Sequence, residues 1–176
     1  MIKPLYYVFK VKNHKKIKEQ ILQYILLRQK TPSYDGCFIS NTDWLNGRYQ
    51  ALGHVHYIDI LLQENQKDLD RFYKNKFIKN KQYIITNAWF NQYDSFSGSE
   101  HKTHIHPNSD IASVYYIELQ DRNLATHIIH PKTKKIIIPR VCEGDILCFD
   151  AKLEHFSPKN YTKNRKTTLA FNVDIK

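Results

Sequence analysis

The stretch His101-Lys-Thr-His-Ile-His-Pro107, followed by Ile111-Ala-Ser-Val-Tyr-Tyr-Ile-Glu-Leu119, decides both the fold and the chemistry of this chain. Its second part has the β-branched and aromatic composition of a strand. In an extended segment, side chains two positions apart point to the same face, so His104 and His106 form one wall. Neutral imidazole binds zinc, copper, iron and nickel. The stretch therefore predicts two ligands for one metal ion, beside a β-strand.

A third histidine and an arginine lie downstream. His155 follows a buried-looking strand, and 49 positions separate it from His106, yet ligands on neighbouring strands of a small barrel converge. Arg165 opens the last strand, and a guanidinium matches a carboxylate through two hydrogen bonds. Thr167 lies on the same strand face and adds a hydroxyl donor. The pattern predicts a three-histidine metal site that binds a carboxylate-bearing co-substrate.

The hydrophobic period changes along the chain, and this change predicts the fold class. Residues 4–11 predict a first strand, Asn13 is predicted to cap a helix through about residue 29, and a second helix is predicted over about 57–78. Short β-rich runs then follow at 83–90, 111–119, 125–130, 135–138, 145–150 and 167–175. We expect a mainly β (α+β) fold, a double-stranded β-helix or jelly roll with two N-terminal supporting helices.

The last strand has the clearest alternation. One face carries Thr167, Leu169, Phe171, Val173 and Ile175, and the other carries Thr168, Ala170, Asn172 and Asp174. We expect residues 1–176 to form a single domain, with helical support over about 12–80 and a jelly-roll core over about 81–176.

Composition narrows the classes of protein. The 176 residues are 41% hydrophobic and 25% charged, which are ordinary globular values. The odd number of cysteines (Cys37, Cys142 and Cys148) without C-x-x-C spacing favours a reducing compartment over a disulfide framework. No apolar run approaches a membrane span, so we expect a cytoplasmic protein without membrane contact.

The net charge of +10 raises an alternative function. A basic, non-catalytic β-barrel that binds nucleic acid would have Trp44, Trp89, Tyr115 and Tyr116 as stacking platforms. The lysines are spread along the whole chain, however, and they form no alternating basic and aromatic stripe. This spread favours a general bias toward lysine.

Two other histidine pairs are interpreted as non-catalytic. His54 and His56 share the H-x-H spacing but have no evident partners. His127 and His130 stand three apart, which places their rings on opposite faces of a strand.

Several motifs, taken together and in order, resemble the 2-oxoglutarate- and Fe(II)-dependent oxygenases of the prolyl-hydroxylase-like superfamily. The resemblance is to a small group common in marine bacteria and their phages. The motifs that carry it are Ile39-Ser-Asn-Thr-Asp-Trp44, Ala88-Trp-Phe-Asn-Gln-Tyr93, His104-Ile-His-Pro-Asn-Ser109, Val114-Tyr-Tyr116, Gly144-Asp-Ile-Leu-Cys-Phe149, Leu153-Glu-His155, Pro158-Lys-Asn160, Arg165 and Phe171-Asn172. The chain departs from the group's pattern at Ala112-Ser113, where Ser-Gly is usual, and at Phe149-Asp-Ala151, where Phe-Pro-Ser is usual.

The resemblance implies a hydroxylase that uses Fe(II), 2-oxoglutarate and O₂, with ascorbate as an optional reductant, and releases succinate and CO₂. It implies His104, His106 and His155 as iron ligands, and Arg165 as the anchor of the distal carboxylate of 2-oxoglutarate. Tyr116 matches a position whose hydroxyl binds the same carboxylate, and Asn91 is expected to line the co-substrate pocket.

The identity of the third ligand stays open at this point. The wider superfamily uses two histidines and one carboxylate, and His-x-His puts a neutral ligand where the carboxylate would stand. Asp110 is an alternative to His106, since it would restore the usual charge.

Other readings of the site and its partners also stay open. A cupin-type metalloenzyme would use three histidines without oxoglutarate, but it would need no anchor such as Arg165. The substrate of a hydroxylase here is a peptide, a metabolite or a nucleobase, and the protein is compatible with a homodimer. We expect it in the cytoplasm of a bacterial cell or of a phage-infected host.

Overall fold

The described residues form a jelly roll, as predicted, and they contain ten strands. The structure is a computed structural model that describes residues 4–27, 38–44, 56–78 and 82–176. The helices are α1 (His14–Leu26) and α2 (His56–Tyr73), and α2 continues into a π-helical turn, Lys74–Ile78. The strands are β1 (Tyr6–Lys10), β2 (Asn41–Thr42), β3 (Tyr83–Tyr93), β4 (Ser99–His104), β5 (Ile111–Glu118), β6 (His127–Ile129), β7 (Ile136–Ile137), β8 (Asp145–Asp150), β9 (His155–Asn160) and β10 (Lys166–Ile175).

The strands form two sheets. The large sheet has six strands in the order β1-β8-β5-β10-β3-β2, and the small sheet has four in the order β4-β9-β6-β7. All pairings within them are antiparallel. Two such sheets packed face to face are the jelly-roll arrangement.

The two predicted helices cover the outer face of the large sheet. In α1, Ile17, Ile21 and Ile25 recur every four residues and are buried. They pack in one apolar core with Phe90 of β3 and Phe171 of β10. The second helix and its π-helical turn together span the segment predicted as helical over about 57–78.

A separate core lies between the two sheets. It contains Val114 and Tyr116 of β5 and Phe149 of β8, together with Ile128 of the small sheet. The large sheet is thus buried on both faces, by helices on one side and by the small sheet on the other.

Strand β10 lies near the centre of the large sheet, between β5 and β3. Its predicted alternation is confirmed on the helix side, where Leu169, Phe171 and Val173 belong to the core under the helices. Thr168, Ala170 and Asn172 line a pocket on the opposite face. Strand β10 therefore separates a hydrophobic core from a pocket.

The sequence patterns did not predict every strand that the described residues form. Strands β4 and β9 were not among the predicted runs, although the histidines at their ends were singled out. Within the described ranges no helix is long and apolar enough to cross a membrane.

Candidate metal centre

Three histidines meet at the mouth of the jelly roll. One ring nitrogen from each of His104, His106 and His155 lies within 4.8 Å of the others, close enough for one metal ion. The ring centroids are 4.2 Å apart for His104 and His155, and 5.1 Å apart for His106 and His155. The structure therefore brings together the three residues that the sequence predicted as metal ligands.

Strand pairing explains why these three residues meet. His104 is the register partner of His155 across the antiparallel pair of β4 and β9. Directly opposed residues in such a pair have Cβ atoms about 4.5–5.5 Å apart. The chain leaves β4 after His104, and the His106 amide then donates to the Ala151 carbonyl at 2.8 Å, which fixes the second histidine next to the β8–β9 turn.

Backbone carbonyls set the tautomer of two rings. His104 Nδ1 lies 2.8 Å from the Lys102 carbonyl oxygen, and His155 Nδ1 lies 2.8 Å from the Leu153 carbonyl oxygen. A carbonyl only accepts, so each Nδ1 carries the hydrogen and donates it. Each Nε2 is then left as a free lone pair, which is the arrangement that a metal-binding histidine needs.

Burial keeps the three rings neutral. His155 is only 4% exposed, and burial holds its pKa well below the usual value. Burial, with the neighbouring His104 as a smaller cause, lowers the pKa of His106 to about 4. Burial also lowers the pKa of His104. At neutral pH the site presents unprotonated imidazoles, which are the ligand form.

Lys166 is a pocket residue that the sequence analysis did not select as a site residue. It opens β10, is 1% exposed and lines the same pocket as the histidines. Its Nζ donates to the Leu124 carbonyl at 2.8 Å and to the Ser157 hydroxyl, and it lies 3.9 Å from the centroid of the Tyr93 ring. Burial lowers the pKa of Lys166 to about 7.

The environment of Lys166 is unusual for a buried ammonium group. Among the described residues, none of its contacts is a carboxylate. Lysine is almost never fully buried unless it is paired. The pocket thus contains a deep amine whose partners among the described residues are all neutral, and an anion next to it would favour the protonated form.

Arg165 and Thr167 do not reach this pocket, which corrects their predicted placement. Arg165 donates from Nε and Nη2 to the carboxylate of Glu118 at 2.9 and 3.1 Å. Thr167 donates to the same carboxylate. The reason is strand parity: both residues share the face of Leu169 and Phe171, whereas Lys166 shares the face of the pocket.

Tyr116 and Asn91 lie at the margins of the site. The Tyr116 hydroxyl accepts from the Thr126 amide at 3.0 Å, and the side chain is fully buried between the sheets rather than in the pocket wall. Burial raises the pKa of Tyr116 to about 12. Asn91 does line the pocket, as predicted. With its carboxamide turned to match its neighbours, it donates to Thr42 Oγ1 at 2.9 Å and accepts from Trp89 Nε1 at 3.2 Å.

Asp110 does not join the metal cluster. Its Oδ2 accepts from the Ile175 amide at 2.8 Å, and the cluster consists of the three histidines alone. Among the described residues it is therefore His106, and not Asp110, that lies next to His104 and His155. The carboxylate instead ties the loop after His106 to the end of β10.

The histidines interpreted as non-catalytic lie elsewhere. His127 contacts the Asn123 carbonyl at 3.0 Å, and His130 Nδ1 accepts from two amides of the following turn. His54 lies outside the described residues, and His56 opens α2.

A fourth pocket histidine, His101, was not predicted as a site residue. Its ring stacks on His104 with 3.9 Å between centroids and 26° between planes. Burial, with His104 as the next cause, lowers the pKa of His101 to about 3. The H-x-x-H spacing on β4 gave no reason to expect contact, because a regular strand would separate the two rings. The register shift between His101 and His104 brings them together.

Residues 87–172 match the family model described as "Putative 2OG-Fe(II) oxygenase". This range contains the three histidines, His101 and Lys166. This part of the chain is similar to 2OG-Fe(II) oxygenases. The predicted resemblance is therefore confirmed for the part of the oxygenase that builds the pocket.

Several solved structures share the fold of this chain. A 2OG-Fe(II) oxygenase family oxidoreductase from Burkholderia pseudomallei has a TM-score of 0.70 at 11% identity, over 97% of this chain and 84% of that chain. The viral collagen prolyl hydroxylase of Paramecium bursaria Chlorella virus-1, in complex with 2OG, has a TM-score of 0.60 at 12% identity, over 97% and 96%. HygX from Streptomyces hygroscopicus, with nickel and 2-oxoglutarate bound, has a TM-score of 0.67 at 10% identity, over 98% and 83%. These likenesses establish the double-stranded β-helix, and no curated protein matches the chain.

Proposed function

We propose that this protein is an Fe(II)- and 2-oxoglutarate-dependent dioxygenase in which His104, His106 and His155 hold the iron. The observation that carries the proposal is the buried amine of Lys166, which has no carboxylate partner among the described residues and shares a pocket with the three-histidine cluster. A metal site beside a deep unpaired cation suits a ligand that both chelates a metal and has a second, distal carboxylate.

The donor set fits Fe(II). Three neutral imidazole nitrogens at one corner leave the remaining coordination positions open for a bidentate ligand and O₂. With no carboxylate among the ligands, the site keeps one more unit of positive charge than a two-histidine, one-carboxylate site. This extra charge favours binding of the dianionic 2-oxoglutarate.

Lys166, rather than Arg165, is the proposed anchor of the distal carboxylate. Its ammonium group is already held by Ser157 and the Leu124 carbonyl, so little side-chain entropy remains to be lost on binding. A carboxylate next to Nζ would favour the protonated form and raise the pKa of Lys166 from its value of about 7.

Other pocket residues orient these groups. The Lys102 and Leu153 carbonyls hold two ligand rings in the metal-binding tautomer, and the stack of His101 on His104 restricts the ring of His104. Asn91 fixes the indole of Trp89, which lies beside His106 with 5.7 Å between ring centroids. This apolar indole limits the access of water to the three-histidine cluster.

The bound iron would supply O₂ activation coupled to decarboxylation of 2-oxoglutarate, so that one oxygen atom enters succinate and the other hydroxylates the substrate. The role of the chain is to hold the metal and the co-substrate and to place a substrate C–H bond beside them. Similar folds are known with a hypoxia-inducible-factor peptide and with hygromycin B bound, so both peptides and metabolites are reasonable substrate classes.

The deciding experiment is an anaerobic titration of metal-free protein with Fe(II) and then 2-oxoglutarate. We expect the weak visible charge-transfer band of the chelated co-substrate in the wild-type protein. At limiting 2-oxoglutarate, Lys166→Met should lose the band, and the matched variant Arg165→Ala should keep it.

The other outcomes identify the alternatives. Loss of the band in Arg165→Ala but not in Lys166→Met would restore Arg165 as the anchor. Bound iron without any band would favour a cupin-type metalloenzyme. Absence of iron binding would favour the nucleic-acid-binding module.

A further inference from the structure

Three polar oxygens near one end of the large sheet have no hydrogen-bond partner. Within the described residues, the buried unpaired side-chain atoms are Asn87 Oδ1, Asn172 Oδ1 and Asp174 Oδ1. Buried polar atoms without partners are rare in folded proteins, and each calls for an explanation. All three occur on the adjacent strands β3 and β10. Because they cluster in this way, we look for a common cause of the three unpaired oxygens.

Asn172 and Asp174 share one face of β10, and Asn87 lies opposite Asn172 at a point where the register between β3 and β10 shifts. Asn172 is 4% exposed and lines the metal pocket. We call Asn87, Asn172 and Asp174 the acceptor row, because each presents an oxygen.

Strand β10 shows where the acceptor row lies relative to the metal. Lys166, Thr168, Ala170 and Asn172 all line the pocket, and the six-residue step from Lys166 to Asn172 spans about 20 Å. His106 contacts Trp89, whose register partner is Ala170. Along the strand, the histidine cluster therefore lies between Lys166 and the acceptor row.

The loop that follows the metal ligands closes over the same end of β10. The Asp110 amide donates to the Val173 carbonyl at 3.2 Å, and the Ile175 amide donates to Asp110 Oδ2 at 2.8 Å. These bonds hold His106 close to the acceptor row and reduce the freedom of both. Asn172 is the member of the acceptor row that lines the metal pocket, whereas Asn87 lines a second pocket against α2.

We propose that the acceptor row binds a nitrogen-borne hydrogen-bond donor of the primary substrate, an amine or an amide next to the carbon that is oxidised. The inference rests on the proposed function, in which the co-substrate fills the space between Lys166 and the metal. The substrate must then approach from the remaining side, where the acceptor row lies. Oxygen acceptors complement both N–H and O–H donors. The Asp174 carboxylate favours the donor that can carry a positive charge, which is a protonated amine.

The test uses ¹⁵N-labelled protein loaded with Zn(II), as a diamagnetic substitute for Fe(II), and with 2-oxoglutarate. Three probes of similar size are titrated: propylamine, propionamide and N,N-dimethylpropionamide, which has no N–H group. We expect the side-chain amide signals of Asn172 and Asn87 to shift saturably with propylamine and more weakly with propionamide. The dimethyl amide should leave them in place.

Variants locate the contact. Asn172→Ala should weaken propylamine binding about fivefold to tenfold, as expected for one lost hydrogen bond. Asn172→Asp keeps an oxygen and should retain binding, and the exposed Asn123→Ala serves as the matched control with no change. If Asn172→Ala does not fold, Asn87→Ala on the neighbouring strand should show the same loss.

Distinct results separate this inference from the proposed function. If Zn(II) and 2-oxoglutarate bind but all three probes act alike, the acceptor row is not a donor site and the oxygenase proposal stands. If 2-oxoglutarate alone saturates the shift of the Asn172 signal and propylamine adds nothing, the residue belongs to the co-substrate site and the inference fails. If neither Zn(II) nor 2-oxoglutarate binds, both proposals fail together.

Discussion

The two faces of strand β10 are equally buried but chemically opposite. On the helix side, Leu169, Phe171 and Val173 are at most 1% exposed and contact other apolar side chains. On the pocket side, Lys166 and Asn172 are 1% and 4% exposed, yet one has no anionic partner and the other has an unpaired oxygen. Burial alone therefore does not distinguish the two faces.

The difference lies in whether the buried groups are satisfied within the protein. The helix side gains stability from the removal of apolar surface from water. The pocket side keeps groups whose burial is unfavourable in the free protein and that a ligand would satisfy. One strand thus contributes to folding through one face and to binding through the other.

The strongest test of the pocket side is the loss of one metal ligand. We expect His155→Ala to abolish Fe(II)-dependent 2-oxoglutarate turnover and to weaken metal binding severely, because two imidazoles remain. Turnover after metal stripping and Fe(II) readdition, together with metal affinity, measures the effect. His127→Ala, on the same sheet, should leave both unchanged. Full turnover in His155→Ala would refute the ligand assignment.

The matching test of the helix side is Phe171→Ala. We expect it to lower the free energy of unfolding by about 3–5 kcal/mol, since a fully buried aromatic ring is replaced by a cavity. Denaturant titration of the metal-free protein measures this. The two faces are functionally separate only if the folded variant still binds Zn(II) and 2-oxoglutarate with near-normal affinity.

Lys166→Met should affect binding and stability in opposite directions. We expect 2-oxoglutarate affinity to fall by about 2–5 kcal/mol, because a buried charge partner is removed. The metal-free protein should become more stable by about 1–4 kcal/mol, because an unpaired buried cation is replaced by an apolar side chain of similar length. Calorimetric titration measures the affinity for 2-oxoglutarate, and denaturant unfolding measures the stability of the metal-free protein. A destabilised variant would contradict the expected gain in stability.

The pH dependence of the free protein follows from the same lysine. Its pKa is lowered from 10.5 to about 7, so between these values the unfolded chain binds more protons than the folded chain. The free energy of unfolding of the metal-free protein should therefore rise with pH across this window. Affinity for 2-oxoglutarate should fall above pH 7, because the ammonium form is the one that binds. Lys166→Arg, which stays charged, should flatten both trends.

The smallest expected effect is that of Arg165→Ala. The Arg165–Glu118 pair is partly exposed, and such pairs contribute about 0–1 kcal/mol. We expect stability to change within that range and the apparent KM for 2-oxoglutarate to stay the same. A clearly raised KM would mean that the outer face of β10 also takes part in co-substrate binding.

The sequence carried enough local information to predict most of the fold. The period of α1, the alternation of β10 and the β-branched runs each appear in short windows, since they depend on neighbours along the chain. Strands β4 and β9 escaped because Ser99–His104 and His155–Asn160 are polar and receive their strand geometry from pairing with each other. The histidines at their ends were singled out all the same, His104 from the local H-x-H pattern and His155 from its position after a buried-looking strand.

Lys166 could have been found from the alternation already visible in β10. Thr168, Ala170 and Asn172 form the face away from the apolar core, and extending that face back by two positions reaches Lys166. Arg165 was favoured because a guanidinium group matches a carboxylate. That argument concerns the chemistry of the side chain and does not say on which face of β10 the side chain lies.

By itself, the sequence determined the alternating pattern of the strands, the two helices and the identity of the three histidines, because these properties are set by residues close together in the chain. The tertiary structure decided which face of β10 lines the pocket of the three histidines and that Asp110 binds the Ile175 backbone rather than joining the cluster. It also decided that Lys166 is buried without an anion. These facts depend on strand register and sheet packing between segments distant in sequence, which no local pattern specifies.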